Sequence, residues 1–209
     1  MFLDPLFRGE YPAELWKRTK FFRPEVTAEE MDLIGEKIDF LGVNNYTREW
    51  ARWSLKYPPF FFDMTGMDIP ERDFVKDGVQ YTSMGWEVFP EGLGRLLLRI
   101  KNEYGNIPVY ITENGAAFED SPVEEEDGLR VHDEKRVDYL RRYTAEVAGA
   151  IDKGADVRGY FVWSLLDNFE WAEGYDKRFG IVYVDYETQR RIVKDSGYWY
   201  REFIAGARK

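Results

Sequence analysis

The chain has 209 residues, a formal net charge of −10, no cysteine and 17% aromatic residues, among them seven Trp and fourteen Tyr. The acidity argues against nucleic-acid and anionic-membrane partners, which need a basic footprint. The lack of cysteine excludes a disulfide framework and a thiolate metal site, and it fits a cytoplasmic protein. The length suits one domain over residues 1–209, or one piece of a larger one, and is enough to bury a core. No apolar run approaches the ~20 residues of a membrane span. The start, Met1-Phe2-Leu3-Asp4-Pro5, has neither the basic nor the apolar region of a signal peptide.

Residues 10–20 read as a short helix with Pro12 in its first turn. Thr27 followed by Glu30 is a capping-box pattern opening a helix over 28–36. Residues 37–44 read as a buried strand that runs into Asn44 and Tyr46. Residues 48–88 show neither helical nor strand period, and with Trp50, Trp53, Trp86, Pro58, Pro59 and Phe60 to Phe62 they suggest a binding loop. Pro90 opens a helix whose apolar face is Leu93, Leu96, Leu97 and Ile100, and Gly105 closes it.

Next, Ile107 to Ile111 form an apolar strand that stops at Glu113, with Asn114-Gly115 after it. Such a strand, apolar on both faces, predicts a sheet covered on both sides. Residues 116–132 read as an acidic loop, and its His132, the only histidine, reads as a surface or helix-capping residue. Asp133 is placed to cap a helix with the apolar face Val137, Leu140, Tyr143 or Thr144, Val147 and Ile151, closed by Gly154. A strand over 157–164, a turn-rich segment to about residue 192 and a helix over 195–206 complete the chain.

Strands alternating with helices imply parallel βαβ units, hence an α/β fold. Right-handed crossovers bring the strand C-termini to one face. Asn44, Tyr46, Glu113 and the segment Trp163 to Trp171 therefore converge. Metal, phosphate and Ser-His-Asp chemistry lack their residues here. Carbohydrate fits: aromatic faces stack on a sugar ring, and carboxylates and amides bind its hydroxyls. Glycoside hydrolysis uses carboxylates on either side of the scissile bond, and Glu113 is a candidate for one of them.

Four segments carry a resemblance. Ile111-Thr112-Glu113-Asn114-Gly115 resembles the nucleophile motif of the family 1 retaining glycoside hydrolases, the β-glucosidase and β-galactosidase family. Trp163 to Ile181 is similar to that family's sugar-binding signature, Asp39 to Thr47 to its sixth-strand motif, and Gly85 to Leu93 to the stretch before its next helix. The resemblance runs from about Leu3 to Trp199. It implies a (β/α)₈ TIM-barrel type fold, of which only about the last three strand-helix units are present. Glu113 would be the nucleophile and Tyr46 its hydrogen-bonding partner. Asn44 would help order the site. Trp163 would be the platform under the sugar, Glu170 and Trp171 would bind its hydroxyls, and Phe179 would pack beside them. Trp86 would lie toward the aglycone, and Asp167 and Asn168 would fix the turn. Tyr143 stands where the family commonly has histidine, on a helix placed away from the site.

The family's acid/base motif, Asn-Glu-Pro, occurs nowhere in the chain. The resemblance therefore implies a C-terminal part of such an enzyme, acting on a β-glucoside, β-galactoside or β-fucoside without metal or cofactor. Three strands cannot close a barrel and leave open, apolar edges. Self-association or a complementary N-terminal barrel segment is the expected partner. Three readings stay open: a glycosidase part active only with its complement, a sugar-binding partial barrel, and a structural fragment with no activity of its own.

Overall fold

The computed structural model describes residues 2–21, 23–56, 62–64 and 78–207. The elements run α1 (Leu3–Arg8), α2 (Ala13–Arg18), α3 (Ala28–Ile34), β1 (Leu41–Asn44), β2 (Ala51–Trp53), β3 (Phe62–Met64), α4 (Pro90–Glu103), β4 (Val109–Asn114), β5 (Val123–Glu125), β6 (Gly128–Arg130), α5 (Glu134–Asp152), β7 (Val157–Val162), β8 (Val182–Val184), β9 (Arg191–Val193) and α6 (Asp195–Ala207). β1, β4 and β7 form a parallel sheet in that order, with α4 and α5 as the crossovers. The other three pairs are antiparallel hairpins: β2–β3, β5–β6 and β8–β9.

The covered face of the sheet supplies Val43, Val109 and Ile111 to one core with Leu93, Leu97 and Ile100 of α4 and Leu140, Tyr143 and Val147 of α5. Burying each large aliphatic chain of that set contributes about 1.5–3 kcal/mol. Trp199 and Tyr200 of α6 pack at its margin. The opposite face is exposed among the described residues. Phe40 is 55% and Phe161 56% exposed, Thr112 is exposed beside them, and Tyr110 meets Phe40 edge-on at 5.4 Å. This corrects the expectation of a sheet covered on both sides: among the described residues, helices cover one face only.

Several elements follow the sequence pattern closely. Thr27 Oγ1 accepts from the Glu30 N–H at 3.2 Å while Glu30 accepts from the Thr27 N–H at 2.8 Å, completing the capping box. Gly105 and Gly154 follow α4 and α5 with φ of +76° and +88°, the left-handed turn that ends a helix. Other expectations are corrected. α1 was not anticipated. Pro12 is the N-cap of α2 rather than a first-turn residue. The first strand is shorter than 37–44, and the 157–164 strand ends at Val162. The acidic loop contains the β5–β6 hairpin, and the turn-rich segment contains β8 and β9. The 48–88 stretch holds the β2–β3 hairpin; Pro58, Pro59, Phe60 and Phe61 lie outside the described residues.

The buried face of α5 is also rotated from the expected one. Arg136, Tyr139 and Ala150 are buried, whereas Ile151 is 45% exposed. Asp133 does not cap α5 with its side chain. Its carboxylate is taken by Arg136 at 2.5 Å and by the Ser196 backbone N–H at 2.8 Å, because both donors are buried and need an acceptor.

Candidate active site

β4 carries Glu113 as its penultimate residue, and the parallel register sets Asn44 of β1 opposite it. The chain leaving β1 stays attached to β4, since the Asn45 N–H donates to the Glu113 carbonyl at 3.0 Å. One residue on, the Tyr46 phenol donates to Glu113 Oε2 at 2.6 Å, the short distance of a hydrogen bond to an ionised acceptor. Burial pushes the Tyr46 pKa well above the ordinary phenol range. The bond to Glu113, the charge of Glu113 and the charge of Glu170 push it further the same way. The phenol therefore keeps its proton and remains a donor across the range where proteins work.

On the other side of β4, the Trp163 N–H donates to the Asn114 carbonyl at 3.0 Å. The Trp163–Ser164 peptide is cis. Gly115 is required beside it, because a Cβ at this position would fall on the Trp163 carbonyl. The segment after Trp163 pairs with the irregular stretch leading into β8: the Ser164 N–H reaches the Phe179 carbonyl at 3.3 Å, and the Ile181 N–H reaches the Ser164 carbonyl at 2.9 Å. That pairing sets Phe179, only 2% exposed, 6.1 Å from the Tyr46 ring and 6.0 Å from Trp86, with Trp86 5.4 Å from Tyr46. Three aromatic rings thus form one wall beside the carboxylate.

Glu170 is half-buried. Burial pushes its pKa up, the side-chain hydrogen bond from Trp163 draws it down, and the charge of Glu113 raises it again. Two carboxylates and an indole share one region of space. Trp171 does not join them: it is 81% exposed, with φ of +43° in a short 3₁₀ turn. Asn44 does not reach Glu113 either; its Oδ1 accepts from Thr112 Oγ1 at 2.6 Å. The structure thus brings together Tyr46, Trp86, Glu113, Trp163, Glu170 and Phe179.

Asp167 holds the base of this excursion. It is 3% exposed and accepts from the Gly180 N–H at 2.9 Å, from Lys194 at 2.9 Å and from Arg178 at 2.7 Å. Lys194 also reaches Asp120 at 2.5 Å, and Arg136 joins Asp120 at 2.8 Å to Asp133. A buried ionic cluster therefore ties the 163–184 excursion to α5 and to the start of α6. His132 lies at the surface, between Asp195 at 2.6 Å and Glu125 at 2.7 Å.

Two contributors were not legible in the sequence. Asn114 is fully buried and donates to the Asn45 carbonyl at 2.7 Å and to the Tyr139 hydroxyl at 3.1 Å. Tyr143 is the second, and the expectation that it stands away from the site is corrected: its hydroxyl donates to the Tyr46 carbonyl at 3.2 Å, as does that of Tyr139. The available signal was the i, i+4 spacing of Tyr139 and Tyr143 on one face of α5.

A parallel α/β sheet carries a carboxylate at its middle strand's end, an acceptor for one phenol and flanked by aromatic rings, the mix of apolar wall and placed polar groups typical of a small-molecule site. The Glycosyl hydrolase family 1 sequence profile matches residues 1–208, and the chain belongs to that family. It is 50% identical over 98% of its length to β-glucosidase A of Thermotoga maritima, covering 43% of that protein. It is also 45% identical to a bifunctional β-D-glucosidase/β-D-fucosidase of Bifidobacterium breve, over 98% of this chain and 46% of the relative. A solved family 1 β-glucosidase of Thermotoga maritima superimposes with a TM-score of 0.83 at 48% identity, over 98% of this chain and 43% of that one. The chain thus spans less than half the length of these relatives. No helix among the described residues is long and apolar enough to cross a membrane.

Proposed function

We propose that this chain is the nucleophile-bearing, C-terminal part of a retaining β-glycosidase of the β-glucosidase kind, comprising about the last three strand-helix units of a (β/α)₈ barrel. The observation that carries the reading is the Glu113 carboxylate at a strand end, held by the Tyr46 phenol at 2.6 Å beside the Trp86 and Phe179 rings. A nucleophile of this kind attacks the anomeric carbon and forms a covalent glycosyl-enzyme, which water then hydrolyses. Tyr46 orients the attacking oxygen. Trp163 offers an aromatic face to the sugar, Glu170 and Trp171 bind its hydroxyls, Phe179 packs beside them, Asn44 orders the strand end, and Trp86 faces the aglycone. Trp171 takes this role by turning inward from its exposed position when sugar or a covering segment is present.

Retaining hydrolysis needs a second carboxyl about 5–5.5 Å from the first as proton donor. Glu170 is assigned to hydroxyl binding, and the Asn-Glu-Pro motif is not in this sequence. The missing proton donor comes from a complementary N-terminal barrel segment. The bare Phe40 and Phe161 face supports that partner, since an exposed apolar sheet face is stable only when covered. The substrate is a terminal β-glucoside, with β-galactoside and β-fucoside as neighbours in the same class. Without the complement, activity is weak or nil. The alternative, a partial barrel that binds sugar weakly without chemistry, is supported by the same bare face.

Intact-protein mass separates these readings. The chain is incubated with a 2-deoxy-2-fluoro-β-glucoside carrying a dinitrophenyl leaving group, which departs without acid help. A one-sugar adduct that disappears in Glu113→Ala is expected. Absence of the adduct in the folded chain both alone and with an added N-terminal segment overturns the catalytic reading.

A further inference from the structure

The site holds a chain of part-buried and buried hydrogen bonds that ends behind Tyr46. Each phenol has one proton to give, so the directions can be followed. The Tyr160 hydroxyl donates to Asn114 Oδ1 at 2.5 Å. This fixes the Asn114 amide, whose Nδ2 then donates to the Asn45 carbonyl at 2.7 Å and to the Tyr139 hydroxyl at 3.1 Å. With its oxygen occupied, Tyr139 gives its own proton to the Tyr46 carbonyl at 3.2 Å. From the other side, the Phe89 N–H donates to the Tyr143 hydroxyl at 3.2 Å, and Tyr143 gives its proton to the same Tyr46 carbonyl at 3.2 Å.

Two consecutive carbonyls, those of Asn45 and Tyr46, are therefore held by three donors. Tyr139 and Tyr143 are both 0% exposed and stack at 4.2 Å, so neither has water as an alternative partner. A backbone gripped at two successive carbonyls has little freedom to rotate, and the direction of the Tyr46 Cα–Cβ bond is fixed with it. That direction decides whether the phenol reaches Glu113. Asn114 is adjacent to Glu113 in β4, so the same amide references both members of the pair.

We infer that Tyr139 and Tyr143 are positioning residues: they clamp the Tyr46 carbonyl so that the Tyr46 phenol stays on the Glu113 carboxylate. The clamp deepens the glycosidase reading, on which its role in catalysis rests, but its geometry can be tested without any turnover.

The test follows the Tyr46 hydroxyl proton by NMR in the 209-residue chain, labelled at its tyrosine rings. The resonance is assigned by its loss in Tyr46→Phe. Tyr139→Phe, Tyr143→Phe and the double variant are compared with the parent. Each single variant leaves the carbonyl one donor, so a double variant that does not fold still leaves two informative chains. The expected result is faster exchange of the Tyr46 hydroxyl proton with solvent, by up to about tenfold in each single variant, the factor that one lost hydrogen bond represents, and by more in the double. An unchanged resonance in the folded variants overturns the clamp.

Adduct formation at Glu113 supplies a second readout. Tyr143→Phe slows labelling severalfold in the parent and has no further effect in a Tyr46→Phe background. Equal slowing in both backgrounds assigns Tyr143 to general structure and overturns the positioning role. If the parent forms no adduct even with an added N-terminal segment, the glycosidase reading fails, and the hydroxyl resonance still decides the clamp.

Discussion

Replacing Asp167 by Asn should cost about 3–5 kcal/mol of stability, because it leaves a buried positive charge without its counter-charge. In the cluster, the carboxylates Asp120, Asp133 and Asp167 face the cations Arg136, Arg178 and Lys194, three against three. Asp167 Oδ1 receives Lys194 at 2.9 Å and the Gly180 N–H at 2.9 Å, while Oδ2 receives Arg178 at 2.7 Å. An amide keeps one acceptor oxygen but turns an N–H₂ donor toward another donor. The side chains of Asp167 and Lys194 are both 0% exposed, so water does not substitute for the lost partner. Measured against the about 5–15 kcal/mol of a typical domain, such a loss is a large share.

The charge count supplies a sharper check. Lys194→Met alone removes one cation and should be costly in the same way. In the double variant Asp167→Asn/Lys194→Met the remaining charges balance two against two, so its cost should fall below the sum of the single costs by more than about 1 kcal/mol. Urea unfolding read by far-ultraviolet circular dichroism gives the midpoints, with the slope checked for constancy. Additive costs, or a loss under about 1 kcal/mol for Asp167→Asn, would refute the idea that charge balance holds this excursion.

Three other outcomes are expected. His132 has its pKa raised above 6.5 by its bonds to Asp195 and then Glu125. The stability this adds is complete below pH 6.5 and is lost as pH rises through the higher folded-state value. Thermal melts across that window should show a decline in the parent that is absent in His132→Gln. Gly115→Ala puts a methyl on the Trp163 carbonyl and should destabilise by about 1–3 kcal/mol; a variant with the parent's urea midpoint and adduct yield would contradict the close approach. Phe40→Lys with Phe161→Lys places charges on the bare sheet face and should convert self-associated chain to monomer in sedimentation velocity, whereas a parent that is monomeric at every concentration refutes association through that face.

The hairpins and the far side of the site show where local pattern stops being informative. Val123 to Arg130 reads as acidic loop because its strands are short, polar and exposed, so no apolar alternation marks them. Asp133 looks like a helix cap until Arg136 and Ser196 compete for its oxygens. Arg136 is charged, and an apolar-face reading of α5 passes over it, although it is 0% exposed and paired.

What the sequence carried was the order of elements, their capping and the strand-end carboxylate, because these depend on residues close in the chain. Thr27 with Glu30, Leu93 with Leu97, and the run into Glu113 are such signals. The bond between Tyr46 and Glu113 spans 67 positions, and the motif resemblance anticipated the pair while only the parallel register of β1 on β4 gives it a distance. The double grip of Tyr139 and Tyr143 on the Tyr46 carbonyl, and the three-against-three ionic cluster, belong to the tertiary structure alone. A hydroxyl or a carboxylate becomes decisive when burial removes water as its partner, and burial is a property of the packed chain.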